Sequence, residues 1–328
     1  MTGRIVVTGA AGFIGSHLSK RLEKNNGSSL TLVDDFSRGK QEYLDYLGVK
    51  TKCNYADLRD YETAEKFTKN ADIVYHIACR IGGMQFLHGS AKKELKALQD
   101  NLAIDSNTFR ACVKNKVKKI IYTSSVSVYN TYLQNHSTEA VFSEHDLKKQ
   151  KLDPEGGYGW AKYMGEKQLE MMAKTGIKVG IARIFKSYGP CDDYSPESGQ
   201  VVLSLMRKAI NYPDEPYVVW GDGQATRCLV YIDDLIDALI KMEGYLQKKS
   251  ITVNLGGDIP HKIRELAERI VELSGKKVNI KYDKSKPSGP KSRIPNLDRA
   301  NEELNWRPSI GLDYGLRKSY DWMKEVIK

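Results

Sequence analysis

Short apolar runs recur through the first half of the chain, and stretches of helical period separate them. Residues 4–7 form a β-branched run and Leu30-Thr31-Leu32-Val33 another, followed by Ile73-Val74-Tyr75-His76, Lys119-Ile120-Ile121-Tyr122 and residues 177–184. Between them, apolar residues at helical spacing occupy 15–24, 61–68, 98–113 and 158–173. Strands of about four to eight residues alternating with longer helices predict a parallel sheet assembled from βαβ units, a doubly wound, Rossmann-like α/β fold. After Pro190 the rhythm changes: stretches rich in Gly, Pro and Asp at 189–199, 211–216 and 284–290 separate short elements. The pattern predicts a first domain over 1–185 and a smaller, loop-rich α/β domain over 186–328, with some of its segments returning to the first.

Composition narrows the classes. With 41% hydrophobic and 28% charged residues among 328, the chain has the balance of a folded core, not of a disordered segment. The apolar run 5–7 is too short for a signal peptide and nothing later approaches ~20 apolar residues, so a cytoplasmic protein with no membrane segment is expected. The five cysteines, Cys53, Cys79, Cys112, Cys191 and Cys228, contain no Cys-x-x-Cys spacing. Neither a disulfide framework nor a metal site is expected from them. The formal charge of +10 favours anionic partners. Its lysines are dispersed along the chain, which reads as a solvated surface, and no nucleic-acid partner is expected.

The first apolar run leads into Thr8-Gly9-Ala10-Ala11-Gly12-Phe13-Ile14-Gly15, which opens a helix. Glycines at such a junction permit a tight turn and let backbone amides approach a pyrophosphate, and a helix N-terminus favours the anion. The second strand ends at Asp34, where a carboxylate accepts hydrogen bonds from an adenosine ribose and repels a 2′-phosphate. That choice predicts NAD, with Arg38 nearby leaving NADP open. Asp57-Leu58, after the third strand, are placed near the adenine.

The strand at 119–122 runs into Thr123-Ser124-Ser125-Val126-Ser127-Val128-Tyr129, and a later helix begins Gly157-Tyr158-Gly159-Trp160-Ala161-Lys162. Tyr158 and Lys162 stand one helical turn apart. An ammonium beside the phenol, with the positive helix end, is expected to lower the Tyr158 pKa and make it a base near neutral pH. An isolated pair of this kind would read as a surface contact. Its place after a dinucleotide loop and a serine-rich strand end puts it at the carboxyl edge of the sheet, where ligands bind in such folds.

With these motifs the chain resembles the extended short-chain dehydrogenase/reductase superfamily, in its nucleotide-sugar epimerase/dehydratase branch, over nearly its whole length. The resemblance implies NAD held by Gly9, Gly12, Phe13, Ile14 and Gly15, with Asp34, Asp57, Leu58 and Ala78 around it. It implies Ser125 as the hydroxyl that bonds the reacting sugar oxygen, Tyr158 as the base, Lys162 as its partner and as a ligand of the nicotinamide ribose, and Asn101 as the asparagine of a proton relay. Residues 183–190, Arg-Ile-Phe-Lys-Ser-Tyr-Gly-Pro, and 220–227, Trp-Gly-Asp-Gly-Gln-Ala-Thr-Arg, are similar to its substrate segments. A nucleotide-diphosphate sugar is therefore expected, its phosphates gripped by Arg227 and Arg293, with Lys186 in place of the family's common Asn. The implied assembly is a homodimer joined through helices 98–113 and 158–173.

One scaffold of this kind supports several reactions. Dehydratases and decarboxylases of the branch resemble one another in a Glu at the position of Ser127, which a serine does not replace as a carbon base. A 4-epimerase working through a transient 4-keto sugar is the expectation. Arg80-Ile81-Gly82-Gly83-Met84 resembles the loop of the GDP-mannose 3,5-epimerase type and of GDP-4-keto-sugar epimerase-reductases, so Gly83 and Met84 are placed on the substrate and that chemistry is the alternative. Those enzymes carry a Cys where this chain has Ser127, which is included among the candidate catalytic residues. A relative without catalysis that binds NAD or RNA is a third reading, opposed by the presence of Ser125, Tyr158 and Lys162. Cys79 is expected to pack near the cofactor and Cys191 to be a loop thiol. His76 and His88 are given no role.

Overall fold

The computed structural model describes residues 3–24, 29–83, 85, 89–149, 151–286 and 289–327. Seven strands form its main sheet: β1 (Arg4–Thr8), β2 (Ser29–Asp34), β3 (Cys53–Tyr55), β4 (Ile73–His76), β5 (Lys119–Ser125), β7 (Lys178–Ile184) and β11 (Ile251–Leu255). Their order is β11-β7-β5-β4-β1-β2-β3 and every pair is parallel. The strands are apolar because helices cover both faces: Val6, Val7, Val74, Ile120 and Ile121 are fully buried. Chain order reverses between β1 and β4, which opens a crevice at the carboxyl ends of the strands. The loops after Thr8, His76 and Ser125 all issue into it.

Among the described residues the other strands are β6 (Val141–Phe142), β8 (Lys186–Tyr188), β9 (Val218–Trp220), β10 (Thr226–Tyr231), β12 (Pro260–Lys262), β13 (Lys281–Asp283) and β14 (Ser292–Pro295). They form a second sheet of order β12-β10-β14-β6, with β8 also paired to β10, and the small pair β13-β9. The chain crosses between layers in both directions. β6 comes from the first half yet pairs with β14, and β11 comes from the second half yet closes the edge of the main sheet against β7. Only Phe185 separates β7 from β8, so the two sheets meet beside the crevice.

The helix Gly156–Ala173 lies close to β5 because glycine faces the sheet: a Cβ on Gly165 would stand 2.5 Å from the Tyr122 hydroxyl and 2.7 Å from Asp105 Oδ2. Its buried Glu166 receives two guanidinium nitrogens of Arg183 at 2.7–3.2 Å and the Ser124 hydroxyl at 2.5 Å. This bidentate, buried pair fixes the helix against β5 and β7 and with it the start of the helix, where Tyr158 stands. Among the described residues no helix is long and apolar enough to cross a membrane.

Candidate functional site

A cavity of about 620 Å³ occupies the crevice and runs from the β1 turn to β10 and β14, within the usual size range of ligand sites. Its first end is built by β1. Gly9 turns the chain with φ +68°, and a Cβ there would lie 2.7 Å from the Ala78 nitrogen. A Cβ on Gly15 would stand 1.9 Å from the Gly9 carbonyl oxygen, so neither position accepts a side chain. Gly12 caps the helix Phe13–Glu23 and no acidic residue occupies its first turn, leaving amide hydrogens and the positive helix end to an anion. Asp34 closes this end. Its Oδ2 accepts from the Ala11 amide at 2.9 Å and its Oδ1 from the Phe36 amide at 2.8 Å, while burial raises its pKa. Gly9, Gly12, Phe13, Ile14, Gly15, Asp34, Asp57, Leu58 and Ala78 all line the cavity. Arg38, the residue that left NADP open, is paired with Asp193 at 2.6 Å.

Midway, Ser125 ends β5 and receives the Ser127 amide at 3.1 Å, and Tyr158 lines the same stretch of the cavity. The electrostatics differ from the expectation. Burial, followed by the neighbouring Cys79, holds the Tyr158 phenol well above its ordinary value, and the Ser125 hydroxyl opposes this only in part. Lys162 makes no hydrogen bond to the phenol. It lies behind the cavity wall, fully buried, its Nζ 4.4 Å from the centre of the Tyr122 ring and without a hydrogen-bond partner. Helical spacing put the two residues on one face, but that face packs into the sheet and the longer side chain runs inward. The Asn101 side chain is engaged with backbone. Its amide accepts from the Arg80 N–H at 2.7 Å and donates to the carbonyls of Arg80 and Ala97 at 3.0 and 2.8 Å. It clamps the loop after β4 and does not reach the cavity.

At the far end Gly83, Lys186, Arg227 and Arg293 share the same wall; Met84, like His88, lies outside the described residues. The Gly83 amide donates to the Ser198 carbonyl at 2.9 Å. Burial drives the Lys186 amine down to about 7, with Arg293 and Arg227 adding to the effect and Asp192 opposing it. The partner Asp192 is pushed up to about 6, also by burial. Burial and Arg293 bring Arg227 down to about 9. Three basic groups crowd this end with two carboxylates, Asp192 and Glu155, beside them, an arrangement that one further anion would stabilise, and a diphosphate has the matching geometry for guanidinium.

One residue of this wall escaped the sequence reading. Glu155, just ahead of the Tyr158 helix, accepts the Ser127 hydroxyl at 2.8 Å and is ion-paired with Arg293. A carboxylate is therefore present in space beside position 127 although none stands there in the chain. An acidic residue three before the tyrosine was the available signal, but nothing in the sequence tied it to Ser127.

The glycine turn that excludes side chains, the anion-ready helix end and the oriented Asp34 together fit a dinucleotide. Comparisons with known proteins agree. The sequence profile described as "NAD dependent epimerase/dehydratase family" matches residues 5–256. The GDP-mannose 3,5-epimerase of Arabidopsis thaliana is 29% identical over 326 residues, covering 99% of this chain and 83% of that protein. A UDP-N-acetyl-alpha-D-glucosaminuronate decarboxylase of Bacillus cytotoxicus is 29% identical over 334 residues, 99% of each chain. Among solved structures, UDP-glucuronic acid 4-epimerase from Bacillus cereus, in complex with UDP-glucuronic acid and NAD, superposes with a TM-score of 0.83 at 28% identity over 98% of this chain and 99% of that one.

Proposed function

Because this chain belongs to the NAD dependent epimerase/dehydratase family, we propose that it is an NAD-dependent nucleotide-sugar epimerase acting at carbon 4. The observation that carries the reading is a single cavity with the glycine turn and Asp34 at one end, Ser125 and Tyr158 in the middle and three cations at the other. Residues 1–185 supply the cofactor side and 186–328 mainly the sugar-nucleotide side.

Gly9, Gly12, Phe13, Ile14 and Gly15 take the cofactor's diphosphate, Asp34 its adenosine ribose, Asp57 and Leu58 the adenine, with Ala78 and Lys162 toward the nicotinamide side. Bound NAD supplies the reversible oxidation of the sugar alcohol to a ketone and a positive charge that counters the burial of Tyr158. Ser125 fixes the reacting hydroxyl, and Tyr158 removes and later returns its proton. Lys186, Arg227 and Arg293 hold the diphosphate, leaving the sugar free to present either face. The protein works as a cytoplasmic homodimer in this reading; exposed Leu95 and Val113 on helix Ala91–Lys114 and Trp160, Met164 and Met171 on helix Gly156–Ala173 provide the apolar contact.

A second reading, proton exchange at carbon 3 or 5 as in the 3,5-epimerase relative, is favoured by Glu155 beside Ser127. The deciding experiment offers UDP-glucose and GDP-mannose to the NAD-loaded protein in D₂O, with NMR and mass spectrometry of the products. Inversion at carbon 4 with carbons 3 and 5 unlabelled is expected; deuterium at either carbon would establish the second reading instead, and no conversion of any kind would defeat both.

The placement of Lys186 makes a separate prediction. Its amine sits at about 7 in the free chain, and a bound dianion raises it. Diphosphate binding near pH 8 should therefore take up a substantial fraction of one proton. Calorimetry of UDP binding in buffers of different ionisation enthalpy measures this directly, and Lys186→Met should abolish the uptake. Proton release in the wild-type chain would place the phosphates elsewhere.

A further inference from the structure

Behind the cavity wall two buried groups of opposite charge bracket one aromatic ring. On one face of Tyr122 stands the Lys162 ammonium, 4.4 Å from the ring centre and without a hydrogen-bond partner. At the ring's hydroxyl end stands Asp105, fully buried on helix Ala91–Lys114, whose Oδ2 accepts the Tyr122 hydroxyl at 2.5 Å. The other carboxylate oxygen, Oδ1, lies 3.0 Å from His76 Nε2.

The proton on His76 follows from its neighbours. Thr8 Oγ1 accepts the amides of Ile77 and Ala78, both at 3.2 Å, so its own hydrogen goes to His76 Nδ1 at 2.8 Å. The His76 hydrogen is then on Nε2 and points at Asp105. Burial lowers the His76 pKa and favours the neutral ring. Both hydrogen-bond donors to Asp105 are thus neutral, and Lys162 lies within electrostatic reach of His76. A buried charge is tolerated only with a compensating partner. Hydrogen bonding of a phenol to a carboxylate makes the ring face more electron-rich, which strengthens its hold on a cation.

We propose that Asp105 is a positioning residue: the buried counter-charge of Lys162, acting across the Tyr122 ring and anchored through His76 to Thr8 at the mouth of the phosphate turn. It fixes the ammonium behind Tyr158 before any ligand arrives. The groups facing it are His76 from β4, Tyr122 from β5, Lys162 from helix Gly156–Ala173 and, at the cavity side, Cys79 and Tyr158; both Cys79 and Tyr158 feel its charge.

The test has two arms. In the first, thermal melting compares the wild-type chain with Asp105→Asn, Lys162→Met and the double variant. Removing one charge strands the other, whereas removing both does not, so the double variant should lose less than the sum of the single losses. Losses that add, or exceed the sum, overturn the proposal. Should Asp105→Asn fail to fold, recovery of folded protein on adding Lys162→Met reads the same coupling, and absence of recovery overturns it. The second arm rests on the epimerase reading and uses the pH profile of kcat. Loss of the negative charge lowers the Tyr158 phenol, so Asp105→Asn should shift the limb that Tyr158 sets to lower pH by about one unit, along with a fall in kcat of about tenfold. A limb that stays in place while kcat falls would reduce Asp105 to a packing role. If the wild-type chain turns over no nucleotide sugar, the epimerase reading fails while the melting arm still decides the pairing.

Discussion

Tyr158→Phe is expected to lower kcat by about 10²- to 10⁴-fold, the usual range for removing a positioned acid–base group, while leaving the NAD content of the purified protein unchanged. The substitution deletes one oxygen from a side chain that is 4% exposed and whose ring packs against Ala97, so the fold has little to lose. What disappears is the phenol hydroxyl that lines the cavity with Ser125, where the strand end and the helix start meet. Steady-state turnover, with cofactor content and melting temperature measured in parallel, checks it. A variant that keeps more than about a third of wild-type kcat would move the base elsewhere, and Glu155, through Ser127, would be the next residue to test.

The effect of Gly15→Ala should be as large and of a different kind. The added methyl would fall 1.9 Å from the Gly9 oxygen, 2.8 Å from the Gly9 carbonyl carbon and 2.9 Å from the Ala10 Cα. All three belong to backbone, which cannot swing away as a side chain does, so the turn must open. Opening it displaces the amides from the anion they would hold and separates helix Phe13–Glu23 from β1. NAD affinity is expected to fall by more than about 100-fold, equivalent to roughly 3 kcal/mol, with a destabilisation of about 1–3 kcal/mol from the overpacked junction. Cofactor released on denaturation, measured by absorbance, and chemical unfolding report the two effects separately. Cofactor retained at the wild-type level would show that the turn does not carry the phosphates.

Much of this was legible along the chain because it depends on local pattern. Apolar runs near β1, β2, β4, β5 and β7 produced the parallel sheet, since strands buried on both faces must be apolar throughout. The glycine turn was legible because its requirement, close approach of backbone to backbone, is met by residue type alone. Tyr158 and Ser125 were singled out from strand-end and helix-start positions, and both line the cavity.

The points that the sequence left open all concern which neighbour a side chain meets. Lys162 was assigned to Tyr158 from helical spacing, yet spacing says only that two residues share a face. Whether a side chain lies along that face or runs into the sheet depends on Tyr122, forty residues earlier in the chain. The Tyr158 pKa differs from the expectation for a related reason: a local ammonium predicts a fall, while burial produces a rise. Asn101 was assigned to a relay by resemblance and spends its amide on the Arg80 backbone. Glu155 and Asp105 went unnoticed because each gains meaning only from partners distant in sequence, Arg293 and Ser127 for the first, His76 and Tyr122 for the second.

By itself, then, the order of residues determined the layered fold, the phosphate turn and the residue types available for chemistry, because backbone conformation and hydrophobic period are properties of neighbouring residues. Tertiary structure alone decided which charges are stripped of water and which opposite charge, if any, each then faces. That outcome depends on desolvation and on distances between elements far apart in the chain, and neither quantity is written in any local stretch of it.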